Sequence, residues 1–450
     1  MKKNKLLLIP IILSSLLSLS ACSEVTGFFS DLLNEDALSF SNQYNPPVNS
    51  HVIDPNAVVA QDVESTVIEE APNAYCFKNI CYAPEKTVLN TYKKGKDGQP
   101  DGVNYVEYNV NGGEDYTYEY KSNTVYDLYV PKTLDKASNQ TVILFIHGGA
   151  WIMGFKSDVN EYVHEFANRG YITATIKYTL LKKSMDDPSL SIFRNLDEID
   201  ACIKSIKAAL VELGFDATKL GLVIGGASSG AHLAMLYSYS RGQRCPLPIK
   251  FVVDAVGPVD IKPANWKRFG GYGEEEYYAA LDAGLSYEKI EEHRSSGHLA
   301  NLTVADPKSE DRYEWDDYNT MRIANGMCGL PFSLEDVEAT TDENKQNIVS
   351  PNDASNSLTK DGGGEDQVSV TYWINKGINK FKIVTAYAGL DGVVGIAQYA
   401  ALEKALVDND IVHSRLFYFK DSGHTQISAK YSETEYNGFV SQIDDWCKAA

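Results

Sequence analysis

Six short apolar runs constrain this chain more than any other feature of it. They fall at 141–146, 171–176, 220–224, 251–256, 381–386 and 412–419, and most end at glycine or a polar turn. Most of their residues are β-branched or aromatic, with little polar alternation. A strand can be apolar on both faces only where both faces are covered, so the runs predict a parallel sheet with helices on each side. The stretches between them agree. Residues 196–213 carry apolar side chains at helical spacing and stop at Gly214, while 233–237 and 434–448 belong to further helices. Alternating strand and helix predicts an α/β fold, a mostly parallel, doubly wound sheet with helices on both faces. Residues 116–129 alternate aromatic and polar positions instead, as early, partly exposed antiparallel strands do.

Residues 262–379 interrupt this rhythm between the sixth and seventh strands. A structureless loop that long does not suit a compact domain, so a helical insertion over one edge of the sheet is predicted. Ahead of the domain, 1–22 read MKKNKLLLIPIILSSLLSLSAC, with a basic start, an apolar run from Leu6 and then small residues. That is the pattern of an export signal, and the run falls short of the roughly 20 apolar residues of a stable span. Leu19-Ser20-Ala21-Cys22 looks like a bacterial lipobox, which implies cleavage before Cys22 and acylation of its thiol and amine. The expectation is an exported lipoprotein of the cell envelope, outer membrane or cell surface, held to the membrane by an N-terminal lipid. Residues 23–75 contain no Lys or Arg but nine acids and Pro46-Pro47, so 23–99 read as an acidic, flexible tether and 100–450 as the domain.

Asp and Glu number 61 against 41 Lys and Arg, a net charge of −20. A surface this acidic repels phosphate backbones, so nucleic acid is not an expected partner. Export implies an oxidising compartment. With Cys22 acylated, Cys76 and Cys81 form the nearest local pair, and Cys202, Cys245, Cys328 and Cys447 are available for further disulfides. No histidine lies at ligand spacing from these thiols, so no metal site is expected.

The run at 220–224 leads into Gly225-Gly226-Ala227-Ser228-Ser229-Gly230 and then a helical stretch. This places G-x-S-x-G at a strand-to-helix turn, the geometry that lifts a serine hydroxyl above the carboxyl edge of a sheet. The helix start behind it favours developing negative charge. A tight glycine turn would explain the glycines without chemistry, and a phosphate cradle lacks its lysine. Ser229 is a rival nucleophile, but the glycine spacing selects Ser228. The run at 141–146 ends in His147-Gly148-Gly149-Ala150-Trp151. Adjacent glycines let backbone N–H groups turn inward to hold the oxyanion of an acyl transfer.

A serine hydroxyl needs a base, and the base needs an orienting carboxylate. Of the eight histidines, His51 lies in the tether, His147 in the glycine loop, and His164 and His232 beside or on helices. His293 and His298 fall in the insertion and His413 inside the last strand, which leaves His424 in the loop before the last helix. For the acid, Asp391 follows the strand at 381–386 beside glycines. It also reads as a turn aspartate bonding its own backbone, and the two roles are compatible. Asp421 competes but stands very near His424.

With these residues the chain resembles the α/β-hydrolase superfamily, and within it the hormone-sensitive-lipase-related esterases and the BD-FAE-like group. The resemblance rests on HGGAW at 147–151, GASSGAHLA at 226–234, AGLDGVV at 388–394, SGH at 422–424 and YDLYVP at 126–131. It covers roughly 115–450 apart from the insertion. It implies Ser228 as nucleophile, His424 as base and then acid, and Asp391 as orienter. The oxyanion donors it implies are the N–H groups of Gly149, Ala150 and Ser229, with no metal or organic cofactor. The expected activity is hydrolysis of short-chain or carbohydrate-linked carboxylic esters through an acyl-enzyme. Insertion aromatics such as Trp266, Tyr272 and Trp315 can stack on sugar rings or form a small core of their own. A peptidase or amidase on the same fold, and a catalytically dead binding module, are the alternatives.

Overall fold

The computed structural model describes residues 65–82, 90–93, 105–109, 116–120, 124–151, 154–181, 191–261, 327, 364–389, 391 and 393–449. In chain order its strands are β1 (Ser65–Thr66), β2 (Ala74–Cys81), β3 (Asn90–Lys93), β4 (Tyr105–Asn109), β5 (Tyr116–Tyr120) and β6 (Val125–Pro131). They continue as β7 (Gln140–Ile146), β8 (Ile172–Lys177), β9 (Leu220–Ala227), β10 (Ile249–Ala255), β11 (Lys382–Ala388) and β12 (His413–Phe419). The helices are α1 (Asn160–Asn168), α2 (Ile192–Glu212), α3 (Ser229–Arg241), α4 (Gly364–Val368), α5 (Val370–Lys376), α6 (Ile396–Asp408) and α7 (Glu433–Ala449).

Nine strands form one sheet in the order β1-β2-β6-β8-β7-β9-β10-β11-β12. From β8 to β12 every neighbour is parallel, whereas β1, β2 and β6 pair antiparallel at one edge. The six apolar runs are the six parallel strands, and their composition follows from where alternate side chains go. Val142, Leu144 and Ile146 of β7 enter one core, with α2, α3, α5 and α6. Ile143 and Phe145 enter the other, with α1 and α7. Both faces of β7 are therefore dry, which removes the polar alternation of a half-exposed strand. The long helix α2 presents Ile192, Leu196, Ile199, Ile203, Ile206 and Leu210 to the first core, all at most 2% exposed. Their three- and four-residue spacing is one helical stripe, and each such burial contributes about 1.5–3 kcal/mol. The doubly wound sheet expected from the sequence is the fold of the chain.

Three expectations are corrected. The tether assigned to 23–99 ends earlier than residue 99, because β1 and β2 belong to the main sheet and β2 pairs with β6 from Ala74↔Pro131 to Cys81↔Val125. A register shift between Phe77 and Ile80, with Asn79 at φ 59°, breaks the alternation that would have marked β2 as a strand. The bulge is locked from within: the Asn79 N–H donates to Asp127 Oδ1 at 2.7 Å, and buried Lys156 holds Asp127 Oδ2 at 3.0 Å. Residues 23–64 of the tether lie outside the described residues.

The second correction concerns the cysteines. Cys76 and Cys81 are both thiols, as are Cys202, Cys245 and Cys447, so no disulfide joins the nearest pair. Both sit on β2, and five residues of strand span about 16 Å, far beyond the roughly 7 Å between Cα atoms that a disulfide can bridge. Burial pushes the Cys76 thiol up to about 11 and that of Cys447 up to about 12. Cys328 and Cys22 lie outside the described residues.

Third, the insertion set at 262–379 ends sooner. Its last part, α4 and α5, packs Val368, Val370 and Ile374 into the main core. Residues 262–326 and 328–363 lie outside the described residues. The early strands also divide. β5 joins β3 and β4 in a separate antiparallel sheet of order β3-β5-β4, and only β6 enters the main one.

Candidate active site

The site stands at the carboxyl ends of β7, β9, β11 and β12. Ser228 is the single residue between β9 and α3, with φ 55° and ψ −125°. This backbone is costly for a non-glycine residue, of order 1–3 kcal/mol. It is held by the Ser228 N–H donating to Ala255 O at 2.8 Å and by His232 N–H donating to Ser228 O at 3.0 Å. The flanking glycines are steric necessities. A Cβ on Gly230 would lie 2.1 Å from Ile146 O, and one on Gly226 2.4 Å from the Gly230 carbonyl carbon. α3 can pass this close to β7 only without those side chains.

His424, in the loop after β12, reaches both partners. Its Nε2 lies 2.8 Å from Ser228 Oγ and its Nδ1 2.7 Å from Asp391 Oδ2. The carboxylate accepts, so Nδ1 carries the proton and Nε2 accepts from the serine hydroxyl. Asp391 is only 3% exposed, and its Oδ1 accepts the N–H groups of Val393 and Val394, both at 2.8 Å. The turn aspartate and the partner of His424 are thus one residue using its two oxygens. A backbone bond from Gly389 N–H to Phe419 O at 2.9 Å ties the acid loop to the end of β12, where the histidine loop begins. Ser229 is 1% exposed at the start of α3, and the histidine bonds Ser228 rather than Ser229.

The HGGAW turn lies against the serine. A Cβ added to Gly148 would lie 3.1 Å from Ser228 Cβ. Gly149, Ala150 and Trp151 follow with φ of 109°, 50° and 63°. Two of these are non-glycine residues in the left-handed region, so the turn must be imposed from outside. Part of the frame comes from the loop after β8. Tyr178 stacks on His147 at 4.3 Å and donates its hydroxyl to His147 O at 3.2 Å. Leu181 N–H donates to Trp151 O at 2.8 Å. That loop is fixed in turn by buried Glu198, which accepts Thr179 N–H at 2.7 Å, Thr179 Oγ at 2.6 Å and Arg194 Nε at 2.9 Å. Gly149, Ala150 and Ser229, whose N–H groups were expected as oxyanion donors, therefore lie on the two turns that meet at Ser228. Tyr178, Glu198 and His232 belong to no motif of the sequence that marks them for this role. Each acts across elements distant in sequence, and only the Trp of HGGAW hinted that the turn needs an anchor.

A second carboxyl sits one strand away. Asp254 of β10 is fully buried, with its Oδ1 accepting Gly257 N–H at 2.8 Å. Burial pushes it up to about 8 from the ordinary 3.8, against the Gly257 N–H and the Tyr387 hydroxyl, which favour its charged form. A raised acid pKa means the folded chain binds the extra proton between about pH 4 and 8, so stability falls as pH rises through that window. At about 1.4 kcal/mol per unit the loss amounts to several kcal/mol. Asp254→Asn keeps the acceptor and removes the titration. Its melting temperature relative to wild type should rise between pH 5 and pH 9, and parallel profiles would refute the assignment.

The BD-FAE family model matches residues 126–290, which spans β6 to β10 and includes both glycine turns. With the strand order and the serine turn, this match is consistent with an α/β-hydrolase fold. Among curated proteins, a non-reducing polyketide synthase of Aspergillus calidoustus is 26% identical over 148 residues, 31% of this chain and 6% of that protein. A probable isoprenylcysteine alpha-carbonyl methylesterase of Arabidopsis thaliana is 31% identical over 108 residues, 24% of this chain and 21% of that protein. The chain thus spans only a small part of the length of either relative. Among solved structures, a truncated carbohydrate esterase from gut microbiota aligns with 85% of this chain and 99% of its own at 12% identity and a TM-score of 0.48.

Proposed function

We propose that the protein is a serine hydrolase of carboxylic esters working through an acyl-enzyme. One observation carries this reading: Ser228, His424 and Asp391 form a continuous relay with links of 2.8 and 2.7 Å. Ser228 Oγ attacks the ester carbonyl while His424 Nε2 takes its proton. The imidazolium is held by the Asp391 carboxylate. The oxyanion is received by N–H groups of Gly149, Ala150 and Ser229, which are fixed before the reaction and so need no reorganisation during it. The alcohol leaves with the proton from His424, and water, deprotonated by the same nitrogen, releases the acid. The methylesterase relative, 31% identical over 108 residues, supports an ester rather than an amide.

Short-chain and carbohydrate-linked esters are the proposed substrates. Comparing p-nitrophenyl acetate and butyrate, p-nitrophenyl palmitate, acetylated xylan and a dipeptidyl p-nitroanilide tests this. The short esters or xylan should turn over fastest. Preference for palmitate would refute the substrate class, and efficient anilide cleavage would make the protein an amidase. The enzyme would work at the cell envelope, tethered through acylated Cys22. Incorporation of a palmitate analogue that disappears in Cys22→Ala is the expected result, and undiminished incorporation contradicts the tether.

A further inference from the structure

The frame of the HGGAW turn is incomplete without His232. This residue stands one helical turn beyond Ser228 on α3 and is fully buried. Trp151 Nε1 donates to its Nδ1 at 3.2 Å, and the two rings meet edge to face at 5.3 Å and 87°. On its far side His232 Nε2 lies 2.7 Å from Val368 O, at the end of α4. An indole N–H can only donate and a carbonyl can only accept, so these two partners fix one neutral tautomer, bare at Nδ1 and protonated at Nε2. Burial also pushes the imidazole down to about 4, which keeps Nδ1 an acceptor.

We propose that His232 is a positioning residue for the oxyanion turn, acting through the Trp151 indole, and that α4 holds it in place through Val368 O. The inference rests on the ester-hydrolase reading and adds a residue to the same site. Ala150 and Trp151 hold positive φ only under external constraint, and among the described residues the hydrogen bonds on Trp151 are at its carbonyl, from Leu181 N–H, and at its indole, to His232. Releasing the indole leaves Tyr178 on His147 at the start of the turn and only the carbonyl bond from Leu181 N–H at Trp151. The donors then meet the transition-state oxygen less well, while the ground-state ester, which needs them less, binds much as before.

His232→Phe keeps a ring and removes both bonds. Trp151→Phe keeps a ring and removes only the donor. Each should lower kcat for p-nitrophenyl acetate about 10- to 100-fold with KM within about threefold, the range of a displaced oxyanion donor. The double variant should lose no more than the worse single one, because both changes break one link. His232→Gln, with an acceptor and a donor on one side chain, should recover part of kcat. Thermal unfolding checks each fold, and Trp151→Phe carries the test alone if His232→Phe does not fold. Values of kcat within twofold of wild type in folded variants, or losses that multiply in the double variant, overturn the proposal. The link itself is read without turnover. The Trp151 indole N–H, identified by its loss in Trp151→Phe, should exchange slowly with solvent in wild type, quickly in His232→Phe and at a rate between the two in His232→Gln. Fast exchange in wild type overturns the anchor, whereas slow exchange with no hydrolysis of any ester refutes the hydrolase reading and leaves the anchor standing.

Discussion

Replacing Ser228 with alanine should lower kcat/KM for a short p-nitrophenyl ester by at least about 10⁵-fold, as expected where nucleophile and base act as a unit. The loss is chemical rather than structural. The unusual backbone at 228 is imposed by the bond from its N–H to Ala255 O and by the close passage of Gly226 and Gly230, none of which uses the hydroxyl. Alanine keeps those bonds, so the variant should melt near wild type. A residual rate above water should persist, because the oxyanion donors stay in place. A loss below about tenfold would mean that another group is attacking.

Asp391→Asn should cost about 10⁴-fold in kcat, the scale on which a misdirected imidazole tautomer fails. The direction of the error follows from the turn. Val393 and Val394 both offer N–H groups to Oδ1, so the asparagine must place its oxygen there and its NH₂ towards His424. His424 Nδ1 then becomes an acceptor and the ring proton moves to Nε2, the nitrogen that has to take the proton of Ser228. The base is blocked, not merely loosened. In Ser228→Ala the same change should add little, since the relay is already broken. Near wild-type kcat in Asp391→Asn would show that His424 is oriented by some other group.

The sequence revealed most where one residue type answers to one local demand. The parallel strands were legible because both faces of β7, β9 and β10 are buried, which leaves a continuous apolar run. The serine turn was legible because Gly226 and Gly230 permit a close passage that a side chain would block. Asp391 and His424 followed from their places after β11 and β12. What escaped depends on partners remote in sequence. β2 is an antiparallel strand whose alternation fails at the Asn79 bulge, and it follows an acidic stretch that reads as tether. α4 and α5 end a polar, irregular segment, yet Val368, Val370 and Ile374 are core. His232 has no local mark of its role, because its partners Trp151 and Val368 lie on either side of it, 81 and 136 positions away.

The claim that His424 and Asp391 activate Ser228 is tested most directly by reacting the protein with a fluorophosphonate and locating the adduct by peptide mass. One adduct is expected, on Ser228, and lost in Ser228→Ala. An adduct on Ser229 or on any other residue, or none in folded wild type, contradicts it.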